Sequence, residues 1–242
     1  MKYIESVIAE GKNPVILDAG DALFESNIIM KQNLAASKFK AKSLIDGYEV
    51  IGYEAVNVGG FDLSAGYEFL KTISDSTSIP FVSANLFDKK SGKRVFEPYI
   101  IIERPPFKVG IIGVTNLLPE KVTELAMENY LQVGKSFIGK LKRKADIIVM
   151  LVYAEKKERS KIKKEFADAD YIFLSREIQK TRQSQAQGAA PLIYSPGKQG
   201  KYLAVIDLTI VNLDSPLVDV SYFKKKVKNA ETRIENYKKK EP

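Results

Sequence analysis

The order of apolar and polar positions along the chain predicts alternating strands and helices. Short apolar runs bounded by glycine, proline or aspartate indicate buried strands, and they fall at 14–18, 52–59, 79–85, 99–103, 108–114, 146–152, 171–174, 191–195 and 202–211. Apolar residues spaced by three and four predict helices at 2–11, 26–47, 64–73, 119–129, 135–143 and 156–166. Alternation of this kind favours a layered α/β fold.

Some of these segments carry more detailed predictions. The strand at 146–152 is almost wholly apolar, so we expect it at the centre of its sheet. Pro105 and Pro106 cannot donate ladder hydrogen bonds, which places them in the connection of a hairpin. The predicted helix 26–47 has an apolar stripe that is expected to be buried, formed by Ile28, Ile29, Leu34, Phe39 and Leu44.

The last segment of the chain differs from the rest because it is rich in lysine. Its apolar residues are spaced by three and four in turn, which is a heptad seam: Val220, Phe223, Val227, Ala230, Ile234 and Tyr237. We therefore divide the chain into a domain at 1–214 and a C-terminal amphipathic helix or connector at 215–242. Three roles are open for this helix: docking on the body, contact with a protein partner or a second copy, and connection to a further domain.

Composition limits the chemistry that the chain can perform. The 242 residues contain neither cysteine nor histidine, so thiolate sites, disulfides and imidazole bases or ligands are excluded. The formal charge of +8 favours anionic partners. The lysines, however, cluster on predicted helix faces and no nucleic-acid motif is present, so nucleic-acid binding is not expected. We also expect no membrane span, since no apolar run approaches about 18 residues, and no signal peptide after Met1.

The candidate chemistry lies where the first apolar run ends in Asp18-Ala-Gly-Asp21, because strand ends are where α/β sheets usually bind ligands. The segments that follow have a recognisable order: 52–66, 81–85, 98–99, 108–113, 145–151, 169–172 and 195–202. Together they resemble the metallophosphoesterase domain of the bacterial 5′-nucleotidase and 2′,3′-cyclic phosphodiesterase family. This resemblance implies a four-layer α-β-β-α sandwich with two metal ions at the strand ends. The family's first strand, with its Asp-x-His motif, would precede Met1, so the expected sandwich lacks it.

The resemblance also implies where the metal ligands should lie, and most of them are replaced. Asp21 stands at the bridging aspartate and is the vestigial ligand. The Gly-Asn-His-Glu-Phe-Asp motif falls on residues 59–64, so its Asn, His and final Asp become Gly60, Phe61 and Ser64. A later His falls on Tyr153, and the last pair of ligands falls near Arg176 and Ile178. We therefore expect no catalytic residue and no bound metal.

Several of these residues also have plain structural interpretations. Asp18 and Asp21 could cap the turn after the strand through backbone amides, and Asn85 could bond local backbone. Gly59 and Gly60 could be required by an unusual backbone conformation. Arg176 could pair with Asp21, bind an anion or face solvent.

Three functions follow as hypotheses. The first is a catalytically inactive phosphoesterase-fold protein that acts as a binding or structural subunit. The second is a residual nucleotidase-like hydrolase, which alone would require a divalent metal pair as cofactor. The third is a basic module for anions or nucleic acid. By family resemblance, the expected location is the cell envelope or periplasm.

Overall fold

The computed structural model describes residues 2–154, 156–175, 177, 180–181, 190–197, 200–212, 215 and 217–238. The helices of this part are α1 Lys2–Ala9, α2 Leu34–Ile51, α3 Tyr67–Asp75, α4 Tyr130–Leu141, α5 Arg159–Glu165 and α6 Ser221–Lys238, with 3-10 helices at Lys31–Asn33, Phe61–Ala65 and Lys156–Glu158. The strands are β1 Leu17–Asp18, β2 Ala55–Asn57, β3 Phe81–Val82, β4 Leu86–Asp88, β5 Tyr99–Arg104, β6 Phe107–Thr115, β7 Leu125–Met127, β8 Ile147–Tyr153, β9 Tyr171–Leu174 and β10 Leu192–Tyr194.

The strands form two main sheets. The first is parallel and has the order β1-β2-β3. The second has the order β10-β9-β8-β6-β5 and is parallel except for the β5–β6 hairpin, whose connection holds the two prolines as predicted. Every residue of β8 is buried in the middle of this sheet, which confirms the prediction from its continuous apolar run.

Three apolar clusters hold the layers together. One lies between the two sheets and joins Ala55 and Val82 to Ile111 and Leu151. A second packs α2 and α3 on the outer face of the first sheet, and a third packs α4 and α5 on the outer face of the second. The succession of helices, sheet, sheet and helices confirms the predicted four-layer α-β-β-α sandwich.

The predicted helix 26–47 is wrong in its start and only partly right in its buried face, since Ile29 and Leu44 do pack against the core. The regular α-helix begins at Leu34 and ends where Gly52 takes a left-handed φ of 88°. Its buried residues are Ala41 and Ile45, whereas Ile28 and Phe39 are 76% and 72% exposed. The predicted stripe included Ile28 and Ile29, which precede the helix, and therefore did not identify Ala41 and Ile45 as its buried residues.

Two further predictions of secondary structure are wrong. The helix expected at 119–129 is replaced by β7, which pairs with β4 in a small antiparallel sheet. A cap explains the next boundary, because the Asn129 side chain accepts hydrogen bonds from the amides of Leu131 and Gln132 and so begins α4. The strand expected at 202–211 has no ladder within the described residues, although Ile206 and Ile210 pack against the inter-sheet cluster.

Within the described residues, the C-terminal helix is not docked on the body. No residue of α6 is buried, and its apolar seam residues are exposed. This finding removes docking from the three roles left open, while the division of the chain at residue 215 stays a prediction. None of the described helices is long and apolar enough to cross a membrane.

Candidate functional site

The turn after β1 is built by Asp18 and Gly20. One Asp18 carboxylate oxygen accepts the Gly20 amide at 2.7 Å, and the other accepts the Tyr48 hydroxyl at 2.7 Å. Burial raises the pKa of Asp18 above its ordinary value. Gly20 has a φ of 102°, and a Cβ there would lie 2.9 Å from the Gly59 nitrogen. Asp18 therefore shapes the turn, and the turn needs glycine.

Asp21 follows in a left-handed conformation, with a φ of 67°. Its Oδ1 accepts the amide of Phe61 at 2.7 Å. This bond ties the loop after β1 to the start of the 3-10 helix that follows β2. Asp21 thus takes part in backbone capping, which is the structural alternative that the sequence left open.

Asp62 is the acidic residue that the sequence interpretation missed. Its side chain is fully buried, and its carboxylate accepts the amides of Asp21 and Gly59 at 2.8 Å and of Leu23 at 3.0 Å. Burial raises its pKa to about 6, against the lowering effect of the three amides, and the Asp18 charge adds to the rise. No local sequence signal indicates this role, because two of the three amides come from the loop after β1, about 40 positions earlier in the chain.

The glycine pair after β2 is required by space. Gly60 has ordinary helical angles, φ −65° and ψ −35°, which contradicts the suggestion of an unusual conformation. A Cβ on Gly60 would lie 2.7 Å from the Leu117 side chain, and a Cβ on Gly59 would lie 2.6 Å from an Asp21 carboxylate oxygen. Leu117 therefore occupies the space beside the position where the resemblance places a metal-binding Asn.

Aromatic side chains meet at the ends of the central strands. Tyr153, the last residue of β8, is buried, and its ring centroid lies 6.4 Å from that of Phe61. Both residues line a cleft of about 390 Å³ whose other lining residues are Asn27, Asn116, Leu117, Lys157 and Glu158. The structure thus brings together Phe61 and Tyr153, which the sequence had placed at two former histidine positions.

Of the remaining predicted site residues, those within the described part of the chain do not line this cleft. Ser64 is buried in the 3-10 helix, and its hydroxyl has no hydrogen-bond partner among the described residues. Asn85 donates to the carbonyls of Thr115 and Glu128 and accepts the Thr115 amide, so it bonds backbone as expected, but this backbone is 30 and 43 positions away and not local. Arg176 and Ile178 lie outside the described residues.

The described residues of this site do not fit a dinuclear metal centre. Such a centre needs several oxygen or nitrogen donors that converge on two cations. Glycine and phenylalanine at 60 and 61 bring no side-chain donor, while the carboxylates of Asp18 and Asp62 already accept two and three hydrogen bonds. Within the described part of the chain, no group of three or more acidic side chains is arranged to hold a metal ion.

Sequence comparison identifies relatives with known names, although no family model matches the chain. The chain is 30% identical over 115 residues to a 5′-nucleotidase of Vibrio cholerae, a match that covers 44% of this chain and 21% of the relative. It is 30% identical over 105 residues to a 2′,3′-cyclic-nucleotide 2′-phosphodiesterase/3′-nucleotidase of Yersinia enterocolitica, covering 42% and 16%. Protein UshA of Escherichia coli is 25% identical over 154 residues, covering 60% and 26%. The chain therefore spans at most about a quarter of these relatives.

Solved structures share the fold at lower sequence identity. A putative 5′-nucleotidase of Staphylococcus aureus superposes with a TM-score of 0.64 at 18% identity, covering 81% of this chain and 43% of the other. The calcineurin-like phosphoesterase YfkN of Bacillus subtilis gives 0.64 at 17% identity, covering 80% and 72%. These structures show that the chain shares their fold, and the sequence relatives named 5′-nucleotidase and protein UshA support the resemblance to the 5′-nucleotidase family.

Proposed function

We propose that this domain is a binding or structural subunit that does not hydrolyse phosphoesters. The observation that carries the proposal is the lining of the cleft at the strand ends. Phe61, Leu117 and Tyr153 bring apolar and aromatic surface to the place where the resemblance expects metal ligands. By the same resemblance, we propose that the domain acts in the cell envelope or periplasm.

The chemistry of the cleft explains why hydrolysis is not expected. Two cations normally polarise the phosphate and activate the attacking water, and both tasks need a set of fixed donors. Neither Phe61 nor Leu117 has a side-chain oxygen or nitrogen that could take over part of this role. Removal of a single acid-base group typically reduces a rate by about 10²–10⁴-fold. In this chain, several of the positions where the resemblance expects ligands or acid-base groups carry other residues.

The cleft is instead suited to an amphipathic group. Phe61 and Tyr153 offer aromatic surface for a flat apolar portion, while Asn27, Asn116 and Lys157 add polar character to the lining. Glu158 is already engaged, because its carboxylate accepts the Tyr130 hydroxyl at 3.1 Å and lies 3.3 Å from the Lys161 ammonium. A small ring-bearing molecule or an aromatic side chain of a partner protein fits this description.

Hydrolysis and metal binding can be measured on the purified full chain. We would assay p-nitrophenyl phosphate, bis-p-nitrophenyl phosphate and 5′-AMP with added Mn²⁺ or Zn²⁺, and titrate the same metals by calorimetry. We expect no turnover above a protein-free control. Metal-dependent turnover that Asp21→Ala abolishes, while the exposed control Asp75→Ala retains it, would overturn the proposal.

A residual hydrolase is the second candidate, and the names of the relatives favour it. Proteins named 5′-nucleotidase match this chain at 30% identity. Because the chain covers about a fifth of each, residues elsewhere in a longer protein could complete a metal site. The same assays separate the two candidates when they are repeated on a longer form of the protein.

A further inference from the structure

The C-terminal helix α6 presents an apolar seam that the described part of the body does not cover. The residues of this seam that carry large side chains are between 47% and 66% exposed: Val220, Phe223, Val227, Ile234 and Tyr237. With Ala230 they occupy successive a and d positions of a heptad repeat. A stripe confined to these two positions is narrow and typical of a helix-to-helix contact.

The start of α6 is fixed to the body while the rest is not packed. The Asp219 carboxylate accepts the Ser221 amide at 2.8 Å and the Tyr194 hydroxyl at 2.9 Å, so the helix begins beside β10. Beyond that point no residue of the helix is buried. Most helical stability in proteins comes from packing of the amphipathic face, so a partner that covers the seam would also stabilise this helix of 18 residues.

The charges beside the seam indicate the kind of partner. The flanking e and g positions inside the helix are Lys224, Lys226, Glu231, Arg233 and Lys238. Four of these five are basic, and charges at e and g positions set the choice of partner in coiled coils. An apolar seam with basic flanks is complementary to a seam with acidic flanks.

A second copy of the chain matches these flanks less well. If two copies of α6 run parallel, Lys226 faces Glu231 of the other copy, but Arg233 faces Lys238. If they run antiparallel, Lys224 faces Glu231, but Lys226 faces Arg233. In either orientation, attractive and repulsive pairs are equal in number, so the flanks give self-association no net electrostatic gain.

We propose that α6 is a docking helix for a partner protein that presents an amphipathic helix with an apolar heptad seam flanked by aspartate or glutamate. The contact buries the Val220-to-Tyr237 seam between the two helices and pairs the basic flanks with the partner's carboxylates. It is independent of the cleft at the strand ends, so it stands whether or not the domain hydrolyses phosphoesters.

The test uses the full chain and two synthetic helical peptides with identical Val and Leu seams. One peptide has glutamate at every e and g position, and the other has lysine there. Fluorescence anisotropy should show that the chain binds the acidic peptide at least tenfold more tightly than the basic one. This preference should shrink as salt is raised, because exposed charge pairs are screened.

Two variants locate the contact on the helix. Val227→Asp places a carboxylate on the seam and should weaken binding of the acidic peptide at least tenfold. Asn229→Asp places the same carboxylate on the same helix but off the seam, and should stay within about threefold of the wild type. Both residues are exposed, so circular dichroism and thermal melting of the body should be unchanged.

Three outcomes would overturn the proposal. The first is equal affinity for the two peptides, or no binding of either. The second is a dimer of the free chain in sedimentation at micromolar concentration that Val227→Asp dissolves, which would assign the seam to a second copy. The third is tighter binding to phosphatidylserine vesicles than to the acidic peptide, which would assign it to an anionic membrane surface.

Discussion

The strongest test of the site geometry is the replacement of Asp62 by alanine. This one carboxylate accepts three backbone amides, two at 2.8 Å and one at 3.0 Å, from the loop after β1 and the turn after β2. Alanine leaves all three donors without their acceptor in a buried region. The variant therefore reports directly on how much this connection between the two loops contributes to stability.

The expected magnitude follows from two opposing effects. A buried donor that loses its partner costs about 1–3 kcal/mol, so three such donors cost about 3–9 kcal/mol. Removal of the buried charge gives part of this back, because a pKa raised from 3.8 to about 6 corresponds to about 3 kcal/mol at neutral pH. Subtracting the second effect from the first leaves a net loss centred on about 3 kcal/mol in the free energy of unfolding. This is a large share of the 5–15 kcal/mol that is typical of a domain.

Urea unfolding at pH 7, followed by circular dichroism, measures this loss. The matched control is Asp75→Ala, which removes a carboxylate that lies 2.7 Å from the Lys71 ammonium on exposed surface. A pair of that kind is worth less than about 1 kcal/mol. If Asp62→Ala changed the free energy of unfolding no more than this control, the assignment of Asp62 as the clamp between the two loops would be refuted.

Three further predictions concern the same loops. Between pH 4 and 6 the folded state holds a proton on Asp62 that the unfolded state has released. The contribution of Asp62 to the free energy of unfolding should therefore fall by about 3 kcal/mol as pH rises, and level off above pH 6. Urea unfolding of Asp62→Asn across this range should lack this pH-dependent loss of stability. Gly60→Asn should cost about 1–3 kcal/mol, since its Cβ meets Leu117 at 2.7 Å, and Leu117→Ala in the same chain should recover part of the loss in a double-mutant cycle. Gly20→Ala should lower stability by at least about 1 kcal/mol in the same assay, because the residue has a φ of 102° and its Cβ would press on Gly59 backbone; no change would contradict the turn geometry.

The layered fold could be predicted from the sequence because the signal is local. The buried strand at 146–152 is a continuous apolar run, and its pattern is enough to place it at the centre of a sheet. The small strand β7 could not be predicted in this way. Its three residues pair with β4, whose residues lie almost 40 positions earlier, and nothing in the spacing of 119–129 indicates that partner.

The candidate site was predictable in position but not in its contacts. The order of motifs placed Phe61 and Tyr153 at two histidine positions of the resembled site, and their ring centroids lie 6.4 Å apart in the structure. The reason for Gly60 was not visible, since Leu117 fills the space beside it from another strand end. Asp62 was overlooked because its role depends on amides from residues 21 and 23, which only the folded chain places around it.

The three hydrogen bonds from backbone amides to Asp62 also affect how the cleft would bind a ligand. Since one side chain holds both loops, neither can shift without disturbing the other, and Phe61 stands beside that junction. The rim of the cleft beside Phe61 is thus preorganised, so binding of a ligand there would cost little conformational entropy of the protein. Selectivity among ligands would then depend on the fixed shape of the opening, because the protein would change its conformation little on binding.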